Sequence, residues 1–255
     1  MPQSSQQQRG RKLSAKDRKQ AKDRNTELVT SGLTRRHVVL GIGAVAAVAA
    51  VGSVGYQLFS GDGSSSIAAS AQSSPSMADL LVQGPLPDQV QGPADAPVTI
   101  IEYASMTCSH CATFHNTTYP ELKNRYIDTG KVRFILREFP LDPLAASAFM
   151  LARCAGEGKY YPVVDAFFHS QTQWAVQKPL EPMLAIARQV GFSKESFEAC
   201  LTNQKMLDGI EWTRNRAQQQ FGVNSTPTFF INGKIVRGAM TIDELSKQID
   251  ALIKT

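Results

Sequence analysis

Val98-Thr99-Ile100-Ile101-Glu102-Tyr103, continuing as Ala104-Ser105-Met106-Thr107-Cys108-Ser109-His110-Cys111, is the stretch on which the fold turns. The β-branched run after Pro97 reads as a strand. Residues 112–126 read as a helix, so the Cys pair falls at a strand-to-helix junction. Lys131-Val132-Arg133-Phe134-Ile135-Leu136-Arg137-Glu138-Phe139 is a second strand, ended by Pro140 and Pro143. A strand, a helix and a strand joined by a crossover of this length make a βαβ unit.

Further along, residues 144–220 lack strand patterning and break into helical pieces at Gly156-Glu157-Gly158, Lys178-Pro179 and Gly191. Leu144, Ala148, Leu151 and Ala152 fit one buried helical face, as do Val164, Phe167 and Phe168. Pro227-Thr228-Phe229-Phe230-Ile231 and Lys234-Ile235-Val236-Arg237 flank Asn232-Gly233, a strong hairpin signal. Thr241-Ile242-Asp243-Glu244 is a capping box opening a last helix, with Leu245, Ile249 and Leu252 on one face. The order is βαβ, a helical block, then ββα. Within this frame the Arg137-Glu138 pair reads as a surface ion pair, and Trp174 and Trp212 as packing residues.

Upstream, composition changes. Residues 1–36 carry ten Lys/Arg against three Asp/Glu, so the net charge of +5 resides in the leader; the remainder has 17 basic and 19 acidic residues. A nucleic-acid binder needs its basic footprint on the folded domain, which excludes that class. Residues 1–37 read as a basic, disordered cytoplasmic n-region. Residues 38–59 are 22 uncharged residues dominated by Ala, Val, Gly and Leu, long enough to cross a bilayer as signal h-region or membrane anchor. The preceding positive charge orients the N-terminus to the cytoplasm. Arg35-Arg36 suits either a twin-arginine or an ordinary Sec signal. Ala69-Ser70-Ala71 has the small residues a signal peptidase requires, and both cleavage and retention are open. Residues 60–84 read as a flexible linker and residues 85–255 as the domain. The domain is then expected outside the cytoplasm, in the periplasm, where disulfides persist.

The Cys pair carries the chemistry. At a helix N-terminus, free N–H groups and the macrodipole favour a thiolate, which lowers a cysteine pKa from about 8.5 into a range of roughly 3.5–7.5. Cys108 is the attacking sulfur, and Cys111, one turn inward, resolves the mixed disulfide. His110 is placed to donate to the Cys108 thiolate, which favours the reduced form and makes the disulfide more oxidising.

The segment from Glu102 to His115 resembles the active-site segment of the DsbA-like disulfide oxidoreductases, close to its Cys-Pro-His-Cys version. Asn224-Ser225-Thr226-Pro227-Thr228-Phe229-Phe230-Ile231-Asn232-Gly233 resembles that family's cis-proline loop and following strand. The resemblance covers about residues 85–255 and implies an α/β thioredoxin fold with an all-helical insertion between the βαβ and ββα halves. It implies a cis Pro227 beside the Cys pair, a Thr226 backbone that pairs with an incoming peptide, and a buried Glu102 that moves the proton to and from Cys111. It further implies oxidation of unfolded exported proteins, reoxidation by a DsbB-type membrane quinone reductase, and no cofactor. Ser109 in place of Pro, and Thr226 in place of Val, depart from the best-known member at positions that tune potential and partner choice, so a disulfide isomerase or reductase is the alternative. With no dimerisation domain before Cys108, a monomer is expected.

Cys154 and Cys200 admit two readings: buried free thiols, since Cys packs well in cores, or a structural disulfide, which the oxidising compartment favours. Certain alphaproteobacterial relatives of the family resemble this chain in carrying a second, helical-domain pair. A copper- or zinc-binding role has some support in Cys108-x2-Cys111-x3-His115. Ala112 excludes a c-type haem motif, and no second Cys/His cluster accompanies the first. A further alternative is a non-enzymatic binding module presenting an apolar groove near Met106, Pro227 and Phe229.

Overall fold

The computed structural model describes residues 75–254. The n-region, the h-region, the two arginines, Ala69-Ser70-Ala71 and the first part of the expected linker lie outside the described residues. Among those described, no helix is long and apolar enough to cross a membrane.

The core of the domain is a five-stranded mixed sheet. Strands β1 (Gln89–Gln91), β2 (Val98–Ala104), β3 (Val132–Glu138), β4 (Thr228–Ile231) and β5 (Lys234–Arg237) are ordered β1-β3-β2-β4-β5. Strands β2 and β3 are parallel, and the other neighbours are antiparallel. Helix α1 spans Met77–Leu81. The crossover helix α2 occupies residues 109–127, with wider π turns at Phe114–Thr118 and Lys123–Ile127. The insertion comprises α3 (Pro143–Cys154), α4 (Tyr160–His169), α5 (Gln171–Trp174), α6 (Leu180–Gln189), α7 (Lys194–Leu201) and α8 (Gln204–Phe221), and α9 (Ile242–Ile253) closes the domain. This is a thioredoxin fold with a helical insertion.

Side chains alternate across a strand, so β2 divides its residues between two cores. Val98, Ile100 and Ala104 join the larger cluster with Phe114, Leu122, Leu245 and much of the insertion. Ile101 and Tyr103 join the smaller one, closed by Leu80 of α1 and by Ala217 and Phe221 of α8. The alternation puts Glu102 among the larger cluster's side chains, beneath α2. The β4–β5 turn follows from its two residues: Asn232 has φ 44° and Gly233 φ 88°, the left-handed backbone a tight hairpin requires. Thr241 and Glu244 cap α9 reciprocally.

Two expectations are corrected, and one strand was not anticipated. The linker assigned to 60–84 ends earlier, because α1 is capped by Ser76 and fully buries Leu80. Strand β1 has too few residues for a periodicity signal and exists because it pairs with the edge of β3. Arg137 and Glu138 are not a surface pair. Both are buried, and alternation sends them to different partners: Arg137 to Asp88 at 2.8 Å and the Tyr103 hydroxyl at 3.0 Å, Glu138 to Arg153 at 2.6 Å and Tyr160 at 2.9 Å. Trp174 is fully buried, its indole N–H donating to the Phe167 carbonyl, while Trp212 is partly exposed.

Candidate active site

Cys108 is the N-cap residue of α2, with extended backbone (φ −78°, ψ 120°), and the first helical residues are Ser109 and His110. The loop that delivers it is built from short polar side chains. The Cys108 N–H donates to the Ser105 carbonyl, Ser105 Oγ accepts from the Leu141 N–H, and Thr107 Oγ1 donates to Asp142, the cap of α3. From the far side, Gln171 Nε2 donates to the carbonyls of Met106 (2.7 Å) and Cys108 (3.0 Å). Sequence reading missed Gln171: nothing in Ser170-Gln171-Thr172 distinguishes it, and its role exists only because α5 folds back over the loop.

The peptide bond between Thr226 and Pro227 is cis. The loop faces the Cys pair, with Cys108 Sγ 3.3 Å from the Thr226 carbonyl oxygen, to which it donates when protonated. Both cysteines are free thiols in this structure, and their environments differ sharply. Cys108 is lowered from 9.0 to about 5. The neighbouring Cys111 thiol is the main cause, opposed by burial and assisted by the Thr226 side chain and the backbone N–H groups of Cys111 and His110. Cys111 is pushed well above its ordinary value by burial first, then by Cys108 and the Glu102 carboxylate. One sulfur is therefore a thiolate at neutral pH while its neighbour stays protonated.

His110 follows Cys108 by two residues in the first turn of α2. It is exposed, and its backbone N–H is among the groups that lower Cys108, since a helix N-terminus aims N–H groups at the sulfur. Glu102 is fully buried on β2, opposite Leu136 and Phe229. His115 is the buried partner of Glu102, with Nε2 and Oε2 2.9 Å apart and neither side chain exposed. That bond occupies the histidine placed in the metal spacing, and no group of three or more His, Cys, Asp or Glu residues among the described residues is arranged to hold a metal ion. Met106 and Phe229 are fully buried and Pro227 is buried, so these three do not form the exposed groove that a pure binding module needs.

Cys154 and Cys200 stand apart from this site. They are joined by a disulfide with Cα atoms 6.1 Å apart, tying α3 to α7.

Comparison with known proteins agrees with this geometry. The family described as thioredoxin matches residues 86–251. Proteins named as protein-disulfide oxidoreductases in Rickettsia bellii and Rickettsia conorii are 32% and 33% identical over 169 residues, 66% of this chain. The matched region spans 65% and 61% of those relatives, a little under two thirds of their length. Among solved structures, alpha-DsbA1 of Wolbachia pipientis is 33% identical with a TM-score of 0.64, covering 69% of this chain and 95% of that one. BdbD of Bacillus subtilis, 20% identical with a TM-score of 0.58 over 66% of this chain and 94% of its own, shares the fold. With the paired thiols at the start of α2 and the cis-proline loop facing them, the chain belongs to the thioredoxin superfamily as a DsbA-like protein.

Proposed function

We propose that the protein is a thiol:disulfide oxidoreductase that introduces disulfides into unfolded proteins exported across the inner membrane. The observation carrying this reading is the unequal placement of two adjacent sulfurs: Cys108 at the start of α2, lowered to about 5, and Cys111 fully buried one turn deeper and raised. A low-pKa thiolate is a good leaving group, so a disulfide that releases Cys108 last is readily passed on.

The chemistry runs in two exchanges. A client thiolate attacks Cys108 Sγ in the oxidised protein; the Cys108–Cys111 bond breaks, its electron pair goes to Cys111 Sγ, and Cys111 takes up a proton. Glu102, buried beside it, donates that proton. The client's second thiolate then attacks the client sulfur of the mixed disulfide and releases Cys108 as thiolate. The client dithiol has lost two electrons, and the protein's disulfide has gained them. During the mixed-disulfide stage Thr226, ahead of Pro227, offers its backbone to the client as a strand partner. The Cys108–Cys111 disulfide is restored by a membrane quinone reductase of the DsbB type. The basic n-region and apolar 38–59 segment support export by the Sec or twin-arginine route or retention as an anchor, with the domain acting as a monomer in the periplasm. The Cys154–Cys200 disulfide is structural.

Equilibration of the Cys pair against glutathione, with oxidation of a reduced peptide, tests this. A potential near roughly −120 mV with peptide oxidation is expected, whereas one near roughly −270 mV would mark a reductant and overturn the oxidase reading.

A further inference from the structure

Cys111 has no direct route to water. It is fully buried, as is Glu102, yet every turn of the exchange must bring a proton to Cys111 and every reoxidation must remove one. Glu102 has one carboxylate oxygen bound to His115 Nε2 at 2.9 Å, and its other oxygen, Oε1, is buried without a hydrogen-bond partner. His115 repeats the pattern: Nε2 is committed to Glu102, and Nδ1 is buried without a partner. A carboxyl group and an imidazole each take a proton on one atom and release it from another. The two residues thus form a short chain with both ends unpartnered.

The outer end of that chain reaches a surface cavity. His115 lies four residues beyond Cys111, in the wide turn Phe114–Thr118, and it forms part of a cavity of about 470 Å³ with Asn116, Tyr119, Lys123, Asp165 and His169. Asn116, Asp165 and His169 are exposed, so the cavity is open to solvent. The ring is held by stacking on Phe168, with centroids 4.4 Å apart and planes at 20°, and by Tyr119 at 4.9 Å. Locked in this way, it cannot swing away from Glu102 between turnovers.

We propose that His115 is a positioning residue and second proton station, passing protons between Glu102 and solvent in this cavity on the side of α2 facing α4. The inference rests on Glu102 serving Cys111 as proposed above. When Cys111 leaves as a thiolate, Glu102 Oε1 gives up its proton to sulfur, His115 Nε2 returns one to Oε2, and Nδ1 is replenished from the cavity; reoxidation runs the chain backwards. The titratable groups facing His115 are Glu102 on β2, Tyr119 and Lys123 on α2, and Asp165 and His169 on α4, with Tyr161 behind Tyr119. Asp165 feels both His115 and Lys123, and Lys123 is paired with Asp128 at 2.5 Å.

The test is acid-quenched single-turnover reduction of the oxidised full chain, in detergent micelles, by a dithiol peptide between pH 5 and 9. His115→Gln keeps a polar contact to Glu102 without a titrating ring. It is expected to slow Cys111 release by about tenfold at neutral pH, less than the roughly 10²–10⁴-fold of a direct general acid because Glu102 still delivers the first proton, and to flatten the rate–pH profile, while Cys108 still titrates near 5. In His115→Ala, added imidazole is expected to restore the rate through the cavity. A His115→Gln profile superimposable on that of the unaltered chain, or slowing with the profile's shape retained and no imidazole rescue, overturns the proposal. Glu102→Gln separates the premises: if it is slow while His115→Gln is normal, only the onward route fails, and if it is itself normal, the Glu102 step falls with it. Absence of turnover in the unaltered chain would remove the oxidoreductase reading itself.

Discussion

Cys108 and Cys111 lie three residues apart and respond to the same helix in opposite ways. Cys108 caps the helix, and the second thiol above all, then the Thr226 side chain and the helix N–H groups, favour its anion. Cys111 is one turn deeper, where burial and the Glu102 carboxylate oppose ionisation. The consequence is a pH-dependent stability difference between redox forms. A thiol whose folded pKa is depressed contributes stability that is complete above its unfolded pKa and lost as pH falls through the folded one. For Cys108 that window runs from 9.0 down to about 5. At pH 7 this thiolate is therefore expected to favour the reduced protein over the oxidised one by about 3 kcal/mol, corresponding to roughly 60 mV of oxidising power. Thermal melts of both forms from pH 4 to 8 check this, and the gap should close on acidification through pH 5. A gap independent of pH would show that Cys108 is not the thiolate.

Among the elements, the insertion depends on few local signals and one covalent tie. Helix α3 begins with Pro143 behind an Asp142 cap, and α7 with a Ser193–Ser196 capping box. Between them lie Gly156 and Gly158, which have positive φ and break the helical run. The Cys154–Cys200 disulfide crosses a separation of 46 residues, for which the chain-entropy model gives about 4 kcal/mol. The double substitution Cys154→Ala/Cys200→Ala is expected to lower unfolding stability by up to about that amount in urea melts. Alkylation of Cys108 should keep its midpoint near 5, because none of the groups that set it is touched. A displaced midpoint would show that α3 and α7 bear on the active-site loop and that the disulfide is more than structural.

Over the whole molecule, residues 76–91 act as a strap that joins the sheet to the insertion. Leu80 fills the smaller core, Arg216 of α8 donates to the carbonyls of Asp79 and Val82, and Leu86 packs against Gly209, where a Cβ would stand 2.5 Å from its side chain. Asp88 pairs with Arg137, both nearly inaccessible, and the Pro87 and Gln89 carbonyls accept from Arg153 and Tyr161. Removing one member of a buried ion pair strands the other charge at about 3–5 kcal/mol. Asp88→Ala is expected to destabilise by that amount, and Leu80→Ala by about 2–5 kcal/mol through the cavity it leaves. Denaturant midpoints measure both, and values within about 0.5 kcal/mol of the unaltered chain, as for ordinary surface positions, would show that the strap is not part of the cooperative fold.

Features carried by neighbouring residues are legible in the sequence. The Cys pair after a β-branched strand, Asn232-Gly233 between two apolar runs, the Thr241-Glu244 box and the Gly and Pro breaks in the insertion all act over a few residues. Such signals reside in backbone preference and helix ends, which chain order alone specifies. Other features needed the folded molecule. The exposure of His110, the burial of Arg137 and Glu138, the hold of Gln171 on the Cys108 loop and the bond between Glu102 and His115 depend on which face a side chain takes and on what another element brings to it. A buried charge and a surface charge have the same letter in the chain. Only packing removes the water that would otherwise make them equivalent.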